Sequence, residues 1–97
     1  MPKLRTDTKI QMIQLLIEDT FSQMTENLQE IEVTVEAKII DMFKRNITFL
    51  VHVTEFGYTD VYRYVTLISE IDRTDDESLI QLGHHIADNL AKQFNRY

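Results

Sequence analysis

The hydrophobic positions of this chain change their spacing near residue 30. Before that point, apolar residues recur every three or four positions, which is the spacing of one helix face over about six turns. From Ile31 to Ile39, β-branched and small apolar residues alternate with polar ones, as on a half-buried strand. The pattern therefore predicts a first helix, N-capped by Asp7 or Thr8, that leads into a strand. The helical stripe consists of Ile10, Ile13, Ile17, Phe21, Met24, Leu28 and Ile31.

A second interpretation of the same segment stays open. Ile31, Val35, Ile39 and Phe43 also follow helical spacing, and no Gly or Pro separates them from the preceding stripe. Residues 31–44 would then continue the helix and leave one hairpin. We favour the strand because its residues are β-branched.

Two further strands and a second helix follow. Residues 47–53 alternate, and the apolar-rich segment Val61–Ile71 predicts a long third strand. Turns are predicted at residues 44–46 and 57–60. Thr74 or Asp75 is placed to cap a last helix, whose apolar face consists of Leu79, Leu82, Ile86, Leu90, Phe94 and Tyr97. The order predicts an α+β fold (αβββα), a three-stranded antiparallel meander with an N-terminal and a C-terminal helix.

The chain has the size and composition of one domain. It has 97 residues, of which 43% are hydrophobic, so we expect a single domain over residues 1–97 with residues 1–6 frayed. No secretory signal pattern is visible, and the absence of cysteine favours a reducing cytoplasm. Long strands with open edges, beside a wide apolar helix face, make a homodimer plausible.

The charge balance disfavours several partners. The formal net charge is −6, from 16 acidic and 10 basic residues. Such a field repels phosphate backbones and anionic lipids, so we expect no direct binding to nucleic acid or membranes. No apolar run approaches the roughly 20 residues of a membrane-spanning helix.

Carboxylates are concentrated where cations are absent. Residues 10–37 contain six acidic residues and no Lys or Arg. On a strand, Glu30, Glu32 and Glu36 would share the outward face, where neighbouring side chains lie about 6.6 Å apart, a spacing similar to that of nucleic-acid phosphates. A second acidic group follows the third strand, and we expect that the meander brings the two groups together. The predicted partner-binding residues are Glu26, Glu30, Glu32, Glu36, Asp72, Asp75, Asp76 and Glu77.

Other candidate chemistry is weaker. His84 and Asp88 lie one helical turn apart, but no third metal ligand accompanies them. His52 is expected on the outward sheet face, where Glu36 or Asp41 is the candidate neighbour. We therefore expect no catalytic site, no metal and no cofactor. Tyr and Phe residues around the second turn (Phe56, Tyr58, Tyr62 and Tyr64) are interpreted as cross-strand core pairs, with a partner site as the alternative.

Three resemblances bear on function. The predicted topology resembles the double-stranded-RNA-binding domain, but that family needs a basic start to its last helix, where this chain has Asp75, Asp76 and Glu77. The same order with a low isoelectric point is similar to the first part of type III secretion chaperones, which are longer. As a small, acidic, cysteine-free domain, the chain resembles phage-encoded anti-restriction and anti-CRISPR inhibitors that mimic nucleic acid.

The last resemblance implies a non-enzymatic inhibitor. Its carboxylates would occupy the nucleic-acid-binding site of a larger basic protein complex, with fast and salt-sensitive association. The alternative is a small dimeric secretion-type chaperone or structural interaction protein that uses apolar surface.

Overall fold

The computed structural model describes residues 4–28 and 30–95. Its elements are α1 (Thr6–Thr25), β1 (Ile31–Lys38), β2 (Asn46–Glu55), β3 (Tyr58–Leu67), α2 (Ile68–Arg73) and α3 (Asp76–Phe94). The three strands form one antiparallel sheet in the order β1-β2-β3. The predicted α+β fold with its αβββα arrangement is therefore confirmed, with the short α2 added before the last helix.

The sheet has one covered face and one open face. Val35, Val51 and Tyr62 stand opposite one another across the three strands, and all three are buried under the helices. The next residues along each strand point the other way, to a face that no described helix covers. This alternation is the reason the period-two pattern predicts the strands correctly.

The two long helices lie side by side over the covered face. Ile13, Ile17 and Phe21 of α1 are fully buried, as the helical stripe predicts. Gly83 of α3 lies against Leu16, and a Cβ added there would overlap the Leu16 Cδ1 atom. The absence of a side chain at Gly83 is therefore what allows this close approach.

Both edge strands receive a side-chain hydrogen bond from the helix above them. The Gln14 amide of α1 donates to the Val35 carbonyl at 3.0 Å, and the Gln93 amide of α3 donates to the Arg63 carbonyl at 2.9 Å. Each bond satisfies one acceptor on an otherwise open sheet edge. These two positions are consequently less available for pairing with another strand.

The predicted boundaries of α1 are wrong at both ends. The helix begins at Thr6 after Arg5, which makes no side-chain cap, so neither Asp7 nor Thr8 is the N-cap. It ends at Thr25, and Leu28 and Ile31 lie beyond it although their spacing continues the helical stripe. Of the six residues expected to fray, residues 1–3 lie outside the described residues and Thr6 is helical.

The predicted turns are also shifted. Residues 39–45 form one longer connection, in which Lys44 has a left-handed backbone with φ 55°, and Asn46 already belongs to β2. The β2–β3 turn consists of Phe56 and Gly57, with φ 51° and 82°, so Tyr58 already belongs to β3. Two positive φ values suit a tight hairpin because they match the twist of the flanking strands.

The third strand ends four residues earlier than predicted. β3 stops at Leu67, which pairs with Asn46, the first residue of β2. Residues 68–71 therefore have no neighbouring strand to pair with, and they form α2, which places Ile71 fully in the core. The segment is apolar enough for either structure, and the length of β2 decides between them. Asp75 caps α3, as predicted, by accepting a hydrogen bond from the Ser78 N–H at 2.7 Å.

Candidate partner-binding surface

The carboxylates of β1 lie on the open face of the sheet, as the alternation predicts. Glu32 pairs with Thr54 and Glu36 with Leu50, and both side chains point away from the helices. Glu30 precedes the strand and takes a left-handed backbone with φ 64°, which is unusual for a residue with a side chain. It is exposed, but it does not belong to the strand, so only two of the three predicted residues share the strand face.

Glu36 is engaged within the sheet. Its carboxylate oxygen lies 2.9 Å from His52 Nε2 and 3.6 Å from the Lys38 ammonium. The hydrogen bond with His52 is the main cause that holds the pKa of Glu36 below its ordinary value. The predicted neighbour of His52 is thus confirmed as Glu36, and this carboxylate already has partners of its own.

The register brings two more carboxylates to the start of β1. Ile31 pairs with Glu55, and Val53 pairs with Asp60, so the ends of all three strands meet there. We call this end of the sheet the acidic end; it consists of Glu32 on the open face, Glu55 and Asp60 on the covered face, and Glu26 and Glu30 in the segment between α1 and β1. All five side chains are exposed. Among the described residues, no hydrogen bond or ion pair engages any of these five carboxylates.

Sequence reasoning missed Glu55 and Asp60 as members of this surface. They are distant in sequence from Glu26 and Glu30, and only strand pairing brings them together. One signal was present: residues 46–62 contain no Lys or Arg, just as residues 10–37 contain none. Two cation-free segments predicted to pair in one sheet indicate a shared negative surface.

Two aromatic residues extend from the acidic end into solvent. Phe56 is 71% exposed and Tyr58 is 80% exposed. Phe56 lies in the tight turn and Tyr58 is the first residue of β3, whereas Tyr62 is buried and Tyr64 half-buried under the helices. The predicted aromatic group therefore divides into two core residues and two exposed ones.

The second predicted acidic group lies at the opposite end of the molecule. We call it the acidic corner; it consists of Glu70, Asp72, Asp75, Asp76 and Glu77, around the junction of α2 and α3. It follows the end of β3, and β1 runs in the same direction as β3, so the start of β1 is at the other end of the sheet. The eight residues of β1 alone span about 27 Å. The expected proximity of the two groups is therefore wrong.

The acidic corner is engaged with the rest of the chain. The fully buried Lys9 ammonium donates to the carbonyls of Asp72 at 3.0 Å and Thr74 at 2.6 Å. The Thr6 hydroxyl donates to the Asp72 carboxylate, and Arg73 lies 3.3 Å from Glu70. The Ser78 N–H is the main cause that lowers the pKa of Asp75. These contacts join α1 to α2 and cap α3, so Glu70, Asp72 and Asp75 have a structural role, whereas the Asp76 and Glu77 carboxylates make no hydrogen bond or ion pair among the described residues.

A third exposed surface is the connection between β1 and β2. We call it the apolar loop; it consists of Ile39, Ile40, Met42 and Phe43. Met42 is 88% exposed and Phe43 is 71% exposed. The Asp41 carboxylate orders the loop by accepting hydrogen bonds from the backbone N–H groups of Arg45 at 2.9 Å and Asn46 at 3.0 Å.

The histidines do not form a metal site. His84 is exposed, as predicted, and the His85 ring packs edge-on against Tyr64 at 6.3 Å. Within residues 4–28 and 30–95, no three His, Asp or Glu side chains come together in a way that would hold a metal ion.

Comparisons with protein-family models, curated proteins and solved structures find no significant match to this chain. In the part of the chain that the structure describes, none of the helices combines the length and apolarity that crossing a membrane requires.

Proposed function

We propose that this protein is a non-enzymatic binding protein whose acidic end occupies the nucleic-acid-binding site of a larger basic protein complex. The observation that carries the proposal is that five exposed carboxylates from three chain segments lie at one end of the sheet, and that none of them has a hydrogen-bond or ion-pair partner among the described residues. A carboxylate already paired within the fold has less to gain from a new cation, whereas these five remain available to one. A Lys- or Arg-lined groove complements such a surface.

The exposed aromatic side chains resemble a second feature of nucleic acid, its flat bases. Grooves that bind single strands combine cations with surfaces on which bases stack. Phe56 and Tyr58 stand beside the carboxylates, so the acidic end offers flat rings next to negative charge. We place the encounter in the cytoplasm, which the absence of cysteine favours.

Only some of the predicted partner-binding residues are assigned to the contact. Glu26, Glu30 and Glu32 remain its centre, and Glu55 and Asp60 join them. Glu36 is assigned a smaller share because His52 and Lys38 already engage it. Asp72 and Asp75 are engaged within the fold, and Asp76 and Glu77 are left out because they lie at the opposite end of the sheet.

A capture experiment with matched charge changes tests this function. The native protein, a Glu26→Gln, Glu30→Gln, Glu32→Gln variant and a control Asp76→Asn, Glu77→Gln, Asp88→Asn variant are immobilised and exposed to lysate. Both variants lose three negative charges. We expect a basic nucleic-acid-binding complex on the native protein and on the control, lost from the first variant and displaced by added DNA or RNA.

The purified complex then allows a direct test. The native protein should abolish its mobility shift of labelled nucleic acid, with weaker inhibition at higher salt. If the captured complex still binds nucleic acid in the presence of saturating native protein, or if both variants behave alike, the proposed mimicry is wrong.

The apolar loop supports a second candidate, a dimeric interaction protein of the chaperone or structural kind. Exposed apolar residues on an ordered loop are typical of protein–protein contacts. This function predicts a dimer by light scattering that Met42→Ser and Phe43→Ser disrupt, and that salt and the triple Gln variant leave intact. A monomeric native protein would exclude the dimer.

A further inference from the structure

A cleft of about 400 Å³ opens at the acidic end. Among the described residues, it is bounded by the covered face of the strands and by residues at the ends of α1 and α3. Its volume is near the lower end of the range for small-ligand pockets, which suits one long side chain. The lining residues are Leu28, Ile31, Val53, Glu55, Asp60, Tyr62, Phe94 and Asn95.

The lining combines an apolar floor with a negative rim. Val53, Tyr62 and Phe94 contribute apolar and aromatic surface, whereas Glu55 and Asp60 contribute carboxylates. These carboxylates lie on the strand ends flanking Val53 and Tyr62, because Asp60 pairs with Val53 across the hairpin. Neither carboxylate has a hydrogen-bond or ion-pair partner among the described residues.

The floor is held in place by ring contacts. The Phe94 ring meets the Phe21 ring edge-on at 5.8 Å and the Tyr62 ring edge-on at 6.0 Å. Phe21 is fully buried and Tyr62 is buried, so Phe94 is fixed from two sides. The cleft is consequently formed before any partner arrives, which limits the entropy lost on binding.

We propose that this cleft receives one arginine side chain of the partner, an inference that rests on the proposed function. An arginine has an apolar stem that suits the floor and a cationic head that suits the rim. Its planar guanidinium donates two parallel hydrogen bonds to a carboxylate and stacks on aromatic rings. Lysine shares the charge but not the planarity, so arginine binds more tightly than lysine here.

An NMR titration with defined probes tests the cleft without the partner. N-acetyl-arginine-N-methylamide is titrated to its solubility limit, beside the matching lysine and norleucine derivatives. We expect saturable shifts of the Ile31 and Val53 methyl signals and of the Phe94 ring with the arginine probe. A Glu55→Gln, Asp60→Asn variant should bind it at least tenfold more weakly, whereas a Glu70→Gln, Glu77→Gln variant should bind as the native protein does.

Each contrary outcome overturns the inference. No saturable shift means that the cleft does not bind arginine, and equal shifts with norleucine mean that it is only an apolar site. Equal binding by the Glu55→Gln, Asp60→Asn variant, with native signal dispersion, removes the proposed role of the rim. Comparison of the affinities of the arginine and lysine probes measures the preference for a guanidinium group. Equal affinities would refute that preference.

The two proposals fail separately. If the arginine probe does not bind but capture still requires Glu26, Glu30 and Glu32, the inhibitor function stands without an arginine in the cleft. If the probe binds in the cleft but no nucleic-acid-binding complex is captured or inhibited, the arginine site stands and the proposed function is wrong.

Discussion

The acidic end and the acidic corner each contain five exposed acidic residues, yet their surroundings differ. At the corner, the Asp72 and Asp75 carboxylates and two backbone carbonyls accept hydrogen bonds from Thr6, Lys9 and Ser78. At the acidic end, no described donor meets the five carboxylates. Negative charge density alone therefore does not indicate a binding surface. The hydrogen bonds that a carboxylate already makes separate a structural role from availability to a partner.

The largest expected effect is at the corner, on replacing Lys9 by Met. The substitution keeps an unbranched apolar side chain out to Cε but removes the ammonium that donates to the Asp72 and Thr74 carbonyls. Leaving buried acceptors without a donor should lower the free energy of unfolding by about 3 kcal/mol. Urea denaturation followed by circular dichroism measures this loss. A change below about 1 kcal/mol would contradict the structural role of the corner, since that is the value of one ordinary hydrogen bond.

A smaller decrease in the free energy of unfolding is expected when Asp75 is replaced by Ala. This change removes the N-cap of α3, whose carboxylate accepts a hydrogen bond from the Ser78 N–H. The urea midpoint should fall, by less than for Lys9→Met. Asp76→Ala is the matched control, because it removes a carboxylate from the same turn without removing the cap. Equal midpoints for the two variants would show that the cap is unimportant.

Lowering the pH should destabilise the fold by protonating carboxylates that accept backbone hydrogen bonds. The Ser78 N–H lowers the pKa of Asp75, and the Arg45 N–H is the main cause that lowers the pKa of Asp41. A carboxyl whose pKa is lower when folded contributes stability above its unfolded pKa and loses it as pH falls through the folded pKa. The free energy of unfolding should therefore decrease as the pH is lowered below about 4.

Removing these carboxylates should flatten that pH dependence. In an Asp75→Asn, Asp41→Asn variant, the curve of urea midpoint against pH should have a shallower slope below about pH 4. An unchanged slope would show that other groups cause the acid sensitivity.

The smallest expected effect on stability, of opposite sign, is at the acidic end. Glu30→Asn should raise the free energy of unfolding by about 0.5 kcal/mol, because Asn tolerates the left-handed backbone better than Glu. The same change should weaken capture of the basic partner. Glu32→Gln, which removes the same charge from an ordinary strand position, should weaken capture without altering stability. A clear decrease in the free energy of unfolding of either variant would show that the acidic end, like the acidic corner, has a structural role.

Much of the fold was predictable because periodicity reports which face of an element is buried. The stripe through Ile13, Ile17 and Phe21 and the alternation in β1 both follow from burial on one side. The errors lie at element ends, where local patterns give no signal. The structure of residues 68–71 depends on whether β2 extends far enough to pair with them, and it does not.

The site was predictable only in part. Glu26, Glu30 and Glu32 belong to a cation-free stretch that is visible in the sequence. Glu55 and Asp60 join them because antiparallel pairing fixes which strand ends meet. The engagement of Glu36 by His52 likewise depends on register, because the two residues belong to different strands.

The sequence by itself determined the class of fold, the faces that are buried and the negative charge of the chain. These properties depend on residue type and spacing within single elements, which are local. The tertiary structure sets the two acidic groups at opposite ends of the sheet, and among the described residues it gives internal partners to carboxylates of the acidic corner but to none of the acidic end. Strand direction and side-chain contacts between distant segments set both results, and neither has a local signature in the chain.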